Sequence, residues 1–164
     1  MTELFSSDYI KPELQEKNWI IFRPLEINDF EKWLCNVLSE LTSCETSEQK
    51  FNEIFNKMCE INKIEPQYFV VVWEDTKNWN ITVSGSIIIE KKFIHSWQCV
   101  WHIEDIVVSS KYRGLWLWEH LISILKDIAS ENCYKVILDC DSKNLWFYNK
   151  CWLKEKSLWM AKYF

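Results

Sequence analysis

Glycine is nearly absent from this chain. Only 2 glycines occur in its 164 residues, whereas average usage would supply roughly 11. Tryptophan, which is scarce in most proteins, occurs 11 times, so the excess of one residue is about as large as the deficit of the other. Trp19, Trp79 and Trp152 stand in turn contexts, where glycine would supply a positive φ. We therefore hypothesise that many tryptophans occupy glycine positions of the parent fold, through real substitution or through an error in the recorded sequence.

Other absences narrow the class of protein. No apolar run approaches the roughly 20 residues that span a bilayer, and the N-terminus lacks the basic and apolar segments of a secretory signal, so we expect a cytoplasmic protein. The net charge of −5 argues against a general polyanion binder, although small anionic ligands remain possible. Without repeats or Pro/Gly-rich linkers, we expect an N-terminal arm at residues 1–18 and a single domain at residues 19–164.

The cysteines lack the spacing of a metal or redox site. No CxxC pair and no nearby histidine ligands accompany them, so we expect free, mostly packed thiols and no metal. The seven cysteines are Cys35, Cys44, Cys59, Cys99, Cys133, Cys140 and Cys151.

Hydrophobic periodicity predicts a strand, two helices, a meander of strands, a βαβ unit, and then a helix and a last strand. Asn28 and Glu31 are the predicted capping box of the first helix, and Thr46 or Ser47 is the predicted cap of the second. The expected strands are 20–23, 68–73, 81–90, 99–108, 134–140 and 158–164, and the expected helices are 28–41, 47–61, 117–128 and 142–151. This order indicates an α/β fold with a mixed sheet.

The junction between residues 103 and 118 is the most informative segment. A β-branched strand ends in a polar turn, and a helix begins just beyond Arg113, a layout that turns helix N-terminal amides toward an anion. Such a loop favours glycine, because only glycine lets the backbone come close to a phosphate. Gly114 is present, but Trp116 and Trp118 occupy the next useful positions. On these residues alone, the segment can equally be a plain strand-to-helix turn.

This junction and the element order resemble the GNAT acetyltransferase superfamily, whose loop reads Arg/Gln-x-x-Gly-x-Gly/Ala. Segments 87–95, 102–106, 133–140 and 144–148 resemble the eukaryotic glucosamine 6-phosphate N-acetyltransferases within it, and the likeness covers about residues 20–164. It implies the GNAT (acyl-CoA N-acyltransferase) fold, a mixed central β-sheet flanked by helices. This family usually has glycine at the positions of Trp19, Trp33, Trp101, Trp118 and Trp152, and glycine or glutamine at that of Trp116.

The resemblance also implies an activity and a set of site residues. The enzyme would transfer acetyl from acetyl-CoA to the amine of D-glucosamine 6-phosphate, giving N-acetyl-D-glucosamine 6-phosphate for UDP-GlcNAc biosynthesis. The implied catalytic residues are Glu104, Asp105 and Tyr148, with Tyr148 near the thioester sulfur as a proton donor. The implied acetyl-CoA contacts are Ile106, Val107, Val108, Arg113, Gly114, Leu115, Trp116, Leu117, Trp118, Glu119 and Asn144. The implied sugar-phosphate contacts are Thr42, Lys92, Phe93, Ile94, His95, Glu104, Asp105, Ile106, Tyr134, Lys135, Asp139 and Lys162.

A homodimer with shared sites follows from the same analogy, because Tyr134, Lys135 and Asp139 are similar to residues that reach the other subunit's site in the family.

Plainer readings stay open beside these. Tyr148 can be a packed aromatic, the lysines can be surface charges, and Asn144 can be a cap. Glu104 and Asp105 point to opposite faces of a regular strand unless a bulge intervenes. Another amine, such as a polyamine or a protein N-terminus, can replace the sugar. A non-catalytic module whose coenzyme groove is blocked by Trp116 and Trp118 is the alternative from another class of protein.

Overall fold

A computed structural model describes residues 2–17, 19–114, 117–129 and 133–163. Its described strands form one sheet in sequence order, with each strand antiparallel to the next except that the last two are parallel. The strands are β1 (Glu16–Lys17), β2 (Ile20–Pro24), β3 (Tyr68–Asp75), β4 (Asn80–Lys91), β5 (Cys99–Val108) and β6 (Cys133–Ile137). The predicted mixed sheet is confirmed.

The helices follow the predicted order, except that one further short helix lies in the expected N-terminal arm. They are α1 (Pro12–Gln15), α2 (Leu34–Leu38), α3 (Glu48–Ile64), α4 (Leu117–Ala129) and α5 (Leu145–Lys150), and α4 connects the parallel strands β5 and β6. Ser47 caps α3 by accepting a hydrogen bond from the backbone N–H of Lys50. Within the described ranges, each helix is too short or too polar to cross a membrane. All seven cysteines are free thiols, each at least partly buried.

The first predicted helix is wrong in its extent. Glu26 and Asp29 form the capping box in place of Asn28 and Glu31, and a 3₁₀ turn follows at Ile27–Phe30. Trp33 then adopts a left-handed conformation with φ of 69°, which ends that turn before the short helix α2 begins. The prediction failed because a tryptophan gives no sign of a left-handed backbone.

Helix α3 buries a narrow face. Phe55 and Cys59 are its buried residues, whereas Ile54 and Ile61 are exposed. Asn62, one turn beyond Cys59, donates to the carbonyls of Leu4 and Tyr68. The buried face of α3 therefore holds the N-terminal segment against the start of β3.

Both ends of the chain depart from the sequence-based expectation. In the expected N-terminal arm, Leu4, Phe5 and Ile10 are buried in the main core. At the other end, residues 153–163 form no strand, so the predicted last strand is wrong over this range. That segment has strongly exposed apolar side chains and finds no strand partner within the described chain.

Gly85 in β4 allows α4 to lie directly on the sheet. A Cβ atom at this position would come within 2.8 Å of Leu121 Cδ2 and 3.2 Å of Ile106 Cδ1. Real Cβ atoms do not approach other atoms so closely, because cores are packed near the limit of steric contact. Glycine here fixes how close the N-terminal half of α4 comes to β4.

A buried ion cluster fixes the segment that leads into α2. Arg23 makes a bidentate pair with Asp29 at 2.8 and 2.7 Å and also donates to Glu74 at 2.7 Å. Lys32 completes the cluster on Glu74 at 2.7 Å. Although burial alone would lower it, these carboxylates raise the pKa of Arg23 above its ordinary value. The cluster ties β2, β3 and the segment before α2 into one unit.

Positive φ angles concentrate on tryptophan. Seven non-glycine residues in the described ranges have positive φ, and four of these are Trp33, Trp79, Trp97 and Trp152. Their side chains are more than half exposed, at 52%, 58%, 72% and 87%. A left-handed conformation is disfavoured for a bulky side chain and is the usual place of glycine. This observation supports the glycine hypothesis drawn from composition.

Candidate active site

Strands β5 and β6 separate at one side of the sheet, where β6 is the last described strand. Their pairing runs from Cys99 with Cys133 to His102 with Ile137, where β6 ends, while β5 continues to Val108. The backbone of Ile106, Val107 and Val108 thus extends beyond the end of its parallel neighbour. Because each strand residue carries one N–H and one C=O, an extended molecule can pair with this edge as a further strand would.

A β-bulge lies in β5 next to this gap. Ser84 pairs with Val107 and Ser86 with Glu104, so three steps along β5 match two along β4. Asp105 has φ of 52° at this point, and it is exposed beside the half-buried Glu104. The bulge interrupts the alternation that would send these neighbours to opposite faces. Both carboxylates can therefore border one groove.

Asp139 lies close enough to both Glu104 and Tyr148 for its charge to act on each of them. Burial raises the pKa of Glu104, the charges of Asp139 and Asp105 add to this, and His102 opposes it. Burial also raises the pKa of Tyr148 to about 12, with Cys140, Cys151 and Asp139 contributing. The phenol therefore keeps its proton at neutral pH, and Glu104 holds a proton more readily than a free glutamate does.

The loop between β5 and α4 is described as far as Gly114, whose φ is 82°. A Cβ atom placed there would meet nothing within 4 Å, so the backbone is open to a ligand. Two predicted coenzyme contacts, Leu115 and Trp116, lie outside the described residues. Arg113 is exposed and donates to Glu40 at 3.2 Å.

The start of α4 and the segment before α5 hold the remaining coenzyme candidates. Leu117 is buried in the core, and Glu119 is half-buried. The indole of Trp118 stacks on the ring of Phe147 and meets Tyr148 edge-on at a centroid distance of 6.1 Å. Asn144 is exposed at the N-cap of α5 but makes no side-chain cap hydrogen bond.

Only some of the residues predicted to contact the sugar phosphate lie close together. The rings of His95 and Tyr134 lie 4.3 Å apart, and Lys135 Nζ lies 5.5 Å from the Tyr134 ring. Phe93 and Ile94, in the same β4–β5 connection, are 84% and 62% exposed. These residues place aromatic and cationic groups together where β5 and β6 begin.

The other candidates lie elsewhere. Lys92 pairs with Glu90, and Asp139 is exposed just beyond the end of β6. Thr42 is exposed in the turn after α2, where its backbone N–H bonds to Leu38, and Lys162 is exposed in the C-terminal segment.

His102 is a neighbour of the site that the sequence did not single out. Its Nε2 lies 2.9 Å from Glu90 Oε2, and its Nδ1 lies 3.9 Å from Glu104 Oε1. The sequence signal that could have identified His102 is its position two residues before Glu104, because this spacing puts both side chains on one face of a strand.

Comparison with known proteins agrees with this geometry. The Acetyltransferase (GNAT) family matches residues 2–151. The chain belongs to the GNAT acetyltransferase family. It is 43% identical over 145 residues to glucosamine 6-phosphate N-acetyltransferase 1 of Dictyostelium discoideum, covering 88% of this chain and 90% of that protein. It is 38% identical over 144 residues to glucosamine 6-phosphate N-acetyltransferase of Arabidopsis thaliana, covering 87% of this chain and 95% of that protein.

Solved structures give the same result. The crystal structure of glucosamine-6-phosphate N-acetyltransferase from Arabidopsis thaliana superimposes with a TM-score of 0.83 at 37% identity, covering 90% of this chain and 99% of that one. A metagenomic aminoglycoside acetyltransferase solved with sisomicin has a TM-score of 0.68 at 14% identity, covering 90% of this chain and 96% of that one, which shows the shared fold alone. The predicted GNAT fold is confirmed.

The backbone of this GNAT chain is suited to binding acetyl-CoA, but the side chain of Trp118 is not. The strand gap and the open left-handed Gly114 are suited to a pantetheine arm and a pyrophosphate. The Trp118 indole, however, fills space beside Tyr148 at the start of α4. In the described residues, no group of three or more His, Cys, Asp and Glu side chains could hold a metal ion.

Proposed function

We propose that this protein transfers the acetyl group of acetyl-CoA to the amine of D-glucosamine 6-phosphate, giving N-acetyl-D-glucosamine 6-phosphate for UDP-GlcNAc biosynthesis. The observation that carries the proposal is the gap between β5 and β6, bordered by Glu104, Asp139 and Tyr148. The names of the relatives identify the sugar among the possible acceptors. The cytoplasmic location expected from the sequence stays a prediction.

The chemistry divides among a few side chains. Acetyl-CoA supplies an activated thioester, with the backbone of residues 106–108 and the loop at Arg113 and Gly114 holding it. Tyr148 gives its proton to the leaving sulfur as the carbon–sulfur bond breaks and the carbon–nitrogen bond forms. Glu104 accepts a hydrogen bond from the sugar amine and helps to remove its proton, which the raised pKa favours. An amino sugar loses its proton more easily than lysine does, so a strong base is unnecessary.

The acceptor's phosphate needs cations at the other end of the groove. His95, Tyr134 and Lys135 supply a compact cluster for it, and Lys92 and Lys162 are further candidates. A polyamine carries no anion to match these groups. A release assay for free coenzyme A thiol, run with glucosamine 6-phosphate, a polyamine and an N-terminal peptide, tests the choice. Thiol release with the sugar phosphate alone supports the proposal, whereas turnover of the polyamine or peptide in preference to it contradicts the proposal.

Replacing Tyr148 by phenylalanine should lower kcat by about a hundredfold or more, because general acid catalysis contributes on that order. KM for both substrates should change little, since the ring stays in place. Steady-state kinetics across neutral pH measure this, and Tyr9→Phe, remote from the groove, is the matched control. An unchanged kcat in Tyr148→Phe would remove the phenol from the mechanism.

The proposed enzyme is a homodimer with shared sites, in which Tyr134, Lys135 and Asp139 reach the partner's site as well as their own. The C-terminal segment supports an association between copies, since Leu158, Met160 and Tyr163 are 91%, 92% and 93% exposed. So much apolar surface in one segment is typical of a chain that is covered by a partner.

The double variant Leu158→Asp, Met160→Asp should shift the mass measured by light scattering from dimer to monomer. These side chains are exposed in the single chain, so the substitutions leave its fold intact. Ile64→Asp, at a residue 90% exposed at the end of α3, is the matched control and should stay dimeric. Monomeric wild-type protein would contradict the dimer.

A further inference from the structure

Glu40 collects four contacts from the loop between β5 and α4. Its carboxylate accepts hydrogen bonds from the backbone N–H of Ser110 at 2.7 Å, from Ser109 Oγ at 3.0 Å and from Ser110 Oγ at 3.4 Å. Arg113 Nη2 lies 3.2 Å from the same group. Ser109, Ser110 and Arg113 lie 69, 70 and 73 residues beyond Glu40 in sequence, so the carboxylate links two segments that are distant along the chain.

We infer that Glu40 is a positioning residue that holds the β5–α4 loop and the Arg113 guanidinium ready for the coenzyme. Arg113 is otherwise 62% exposed, and a long exposed side chain spreads over many rotamers unless a partner restricts it. Its Nε also donates to the Val108 carbonyl at 3.3 Å. The two contacts together hold the side chain alongside its own loop.

The ionised form of Glu40 is the one that makes these contacts. Burial alone would raise its pKa, but the hydrogen bonds from Ser110 and Ser109 and the charge of Arg113 lower the pKa overall. The carboxylate is therefore charged at neutral pH, and hydrogen bonds to a charged acceptor are about twice as strong as neutral ones.

The same residue connects the loop to the turn after α2. Glu40 donates its own N–H to Val37, and Thr42, two residues on, donates to Leu38. Thr42 is a sugar candidate and Arg113 a coenzyme candidate, so Glu40 couples the two substrate sites. This last step rests on the proposed function.

Calorimetric titration with acetyl-CoA and steady-state kinetics of Glu40→Ala and Glu40→Gln test the inference. Alanine removes all four contacts and should weaken acetyl-CoA binding and raise its KM by about tenfold, because one charged hydrogen bond is worth at least that much. kcat should change little. Glutamine keeps an acceptor for Ser110 and should retain most of the affinity. Glu53→Ala, which removes an exposed carboxylate paired with Lys50 and Lys57 on α3, is the matched control.

Hydrogen exchange at the Ser110 amide separates this inference from the proposed function. Faster exchange in Glu40→Ala, together with weaker coenzyme binding and rescue by glutamine, supports it. Unchanged or tighter acetyl-CoA binding in Glu40→Ala overturns it, as does an equal loss in both variants. Failure of the wild-type chain to bind acetyl-CoA would instead count against the proposed function, and the exchange measurement would still report on Glu40.

Discussion

Acetyl-CoA binding and thiol release are expected to rise sharply when Trp116 and Trp118 are both replaced by glycine. The Trp118 indole packs against Phe147 and lies edge-on to Tyr148, in the space beside the proposed proton donor. Removing it frees the first turn of α4, whose amides can then meet a pyrophosphate. We expect the affinity for acetyl-CoA to increase by about tenfold or more, measured by calorimetry and by thiol release with glucosamine 6-phosphate.

A second pair of tryptophans supplies the control. Trp33→Gly, Trp79→Gly makes the same chemical change at two turns outside the loop and should leave coenzyme binding as it was. Activity in the Trp116→Gly, Trp118→Gly variant alone would locate the obstruction in the coenzyme loop. Equal activity in the original chain would show that the two indoles do not obstruct the coenzyme loop. Absence of activity in both the original chain and the variant would contradict the sugar-phosphate hypothesis.

Most of the fold could be predicted because its signals are local. Strand β5 was predicted with its observed bounds, since its β-branched run is enclosed by polar segments. Helix α4 was found from its apolar repeat, which depends on side chains only three or four residues apart. The family resemblance added the substrates, which no pattern of hydrophobicity contains.

The features that were missed depend on backbone conformation or on distant pairing. The bulge at Asp105 could be named as a possibility, but only the register against β4 places it. Glu40 was missed because its partners in the β5–α4 loop are far away in sequence. The break at Trp33 was missed because a left-handed residue is expected at glycine, asparagine or aspartate.

Helix α5 ends in a motif that explains the position of Trp152. Leu153 donates its N–H to the Tyr148 carbonyl and Trp152 donates to Asn149, while Trp152 has φ of 65°. These are the two hydrogen bonds of a Schellman motif, whose left-handed position is usually glycine. Trp79 is similar, because it has φ of 61° in the β3–β4 turn, a conformation that glycine adopts without a steric penalty.

Replacing Trp33, Trp79 and Trp152 by glycine should therefore stabilise the protein. A left-handed conformation costs a residue with a Cβ roughly 1–2 kcal/mol, and these side chains are more than half exposed, so little burial is lost. Part of the gain is offset by the greater freedom of glycine in the unfolded chain. We expect about 1 kcal/mol for each site. Urea unfolding measures the change.

Trp73→Gly is the opposite case and the control for this argument. Trp73 is 1% exposed at the centre of β3, so glycine there should destabilise the protein by roughly 3–5 kcal/mol. If the three turn variants are destabilised as Trp73→Gly is, the tryptophans belong to the native packing and the glycine hypothesis is wrong.

Intact mass spectrometry of the protein from its natural source distinguishes the two origins of the tryptophans, real substitution and an error in the recorded sequence. A mass that matches this sequence means that real tryptophans occupy left-handed positions, whereas a mass lower by a whole number of tryptophan-to-glycine differences means that the natural chain carries glycine there.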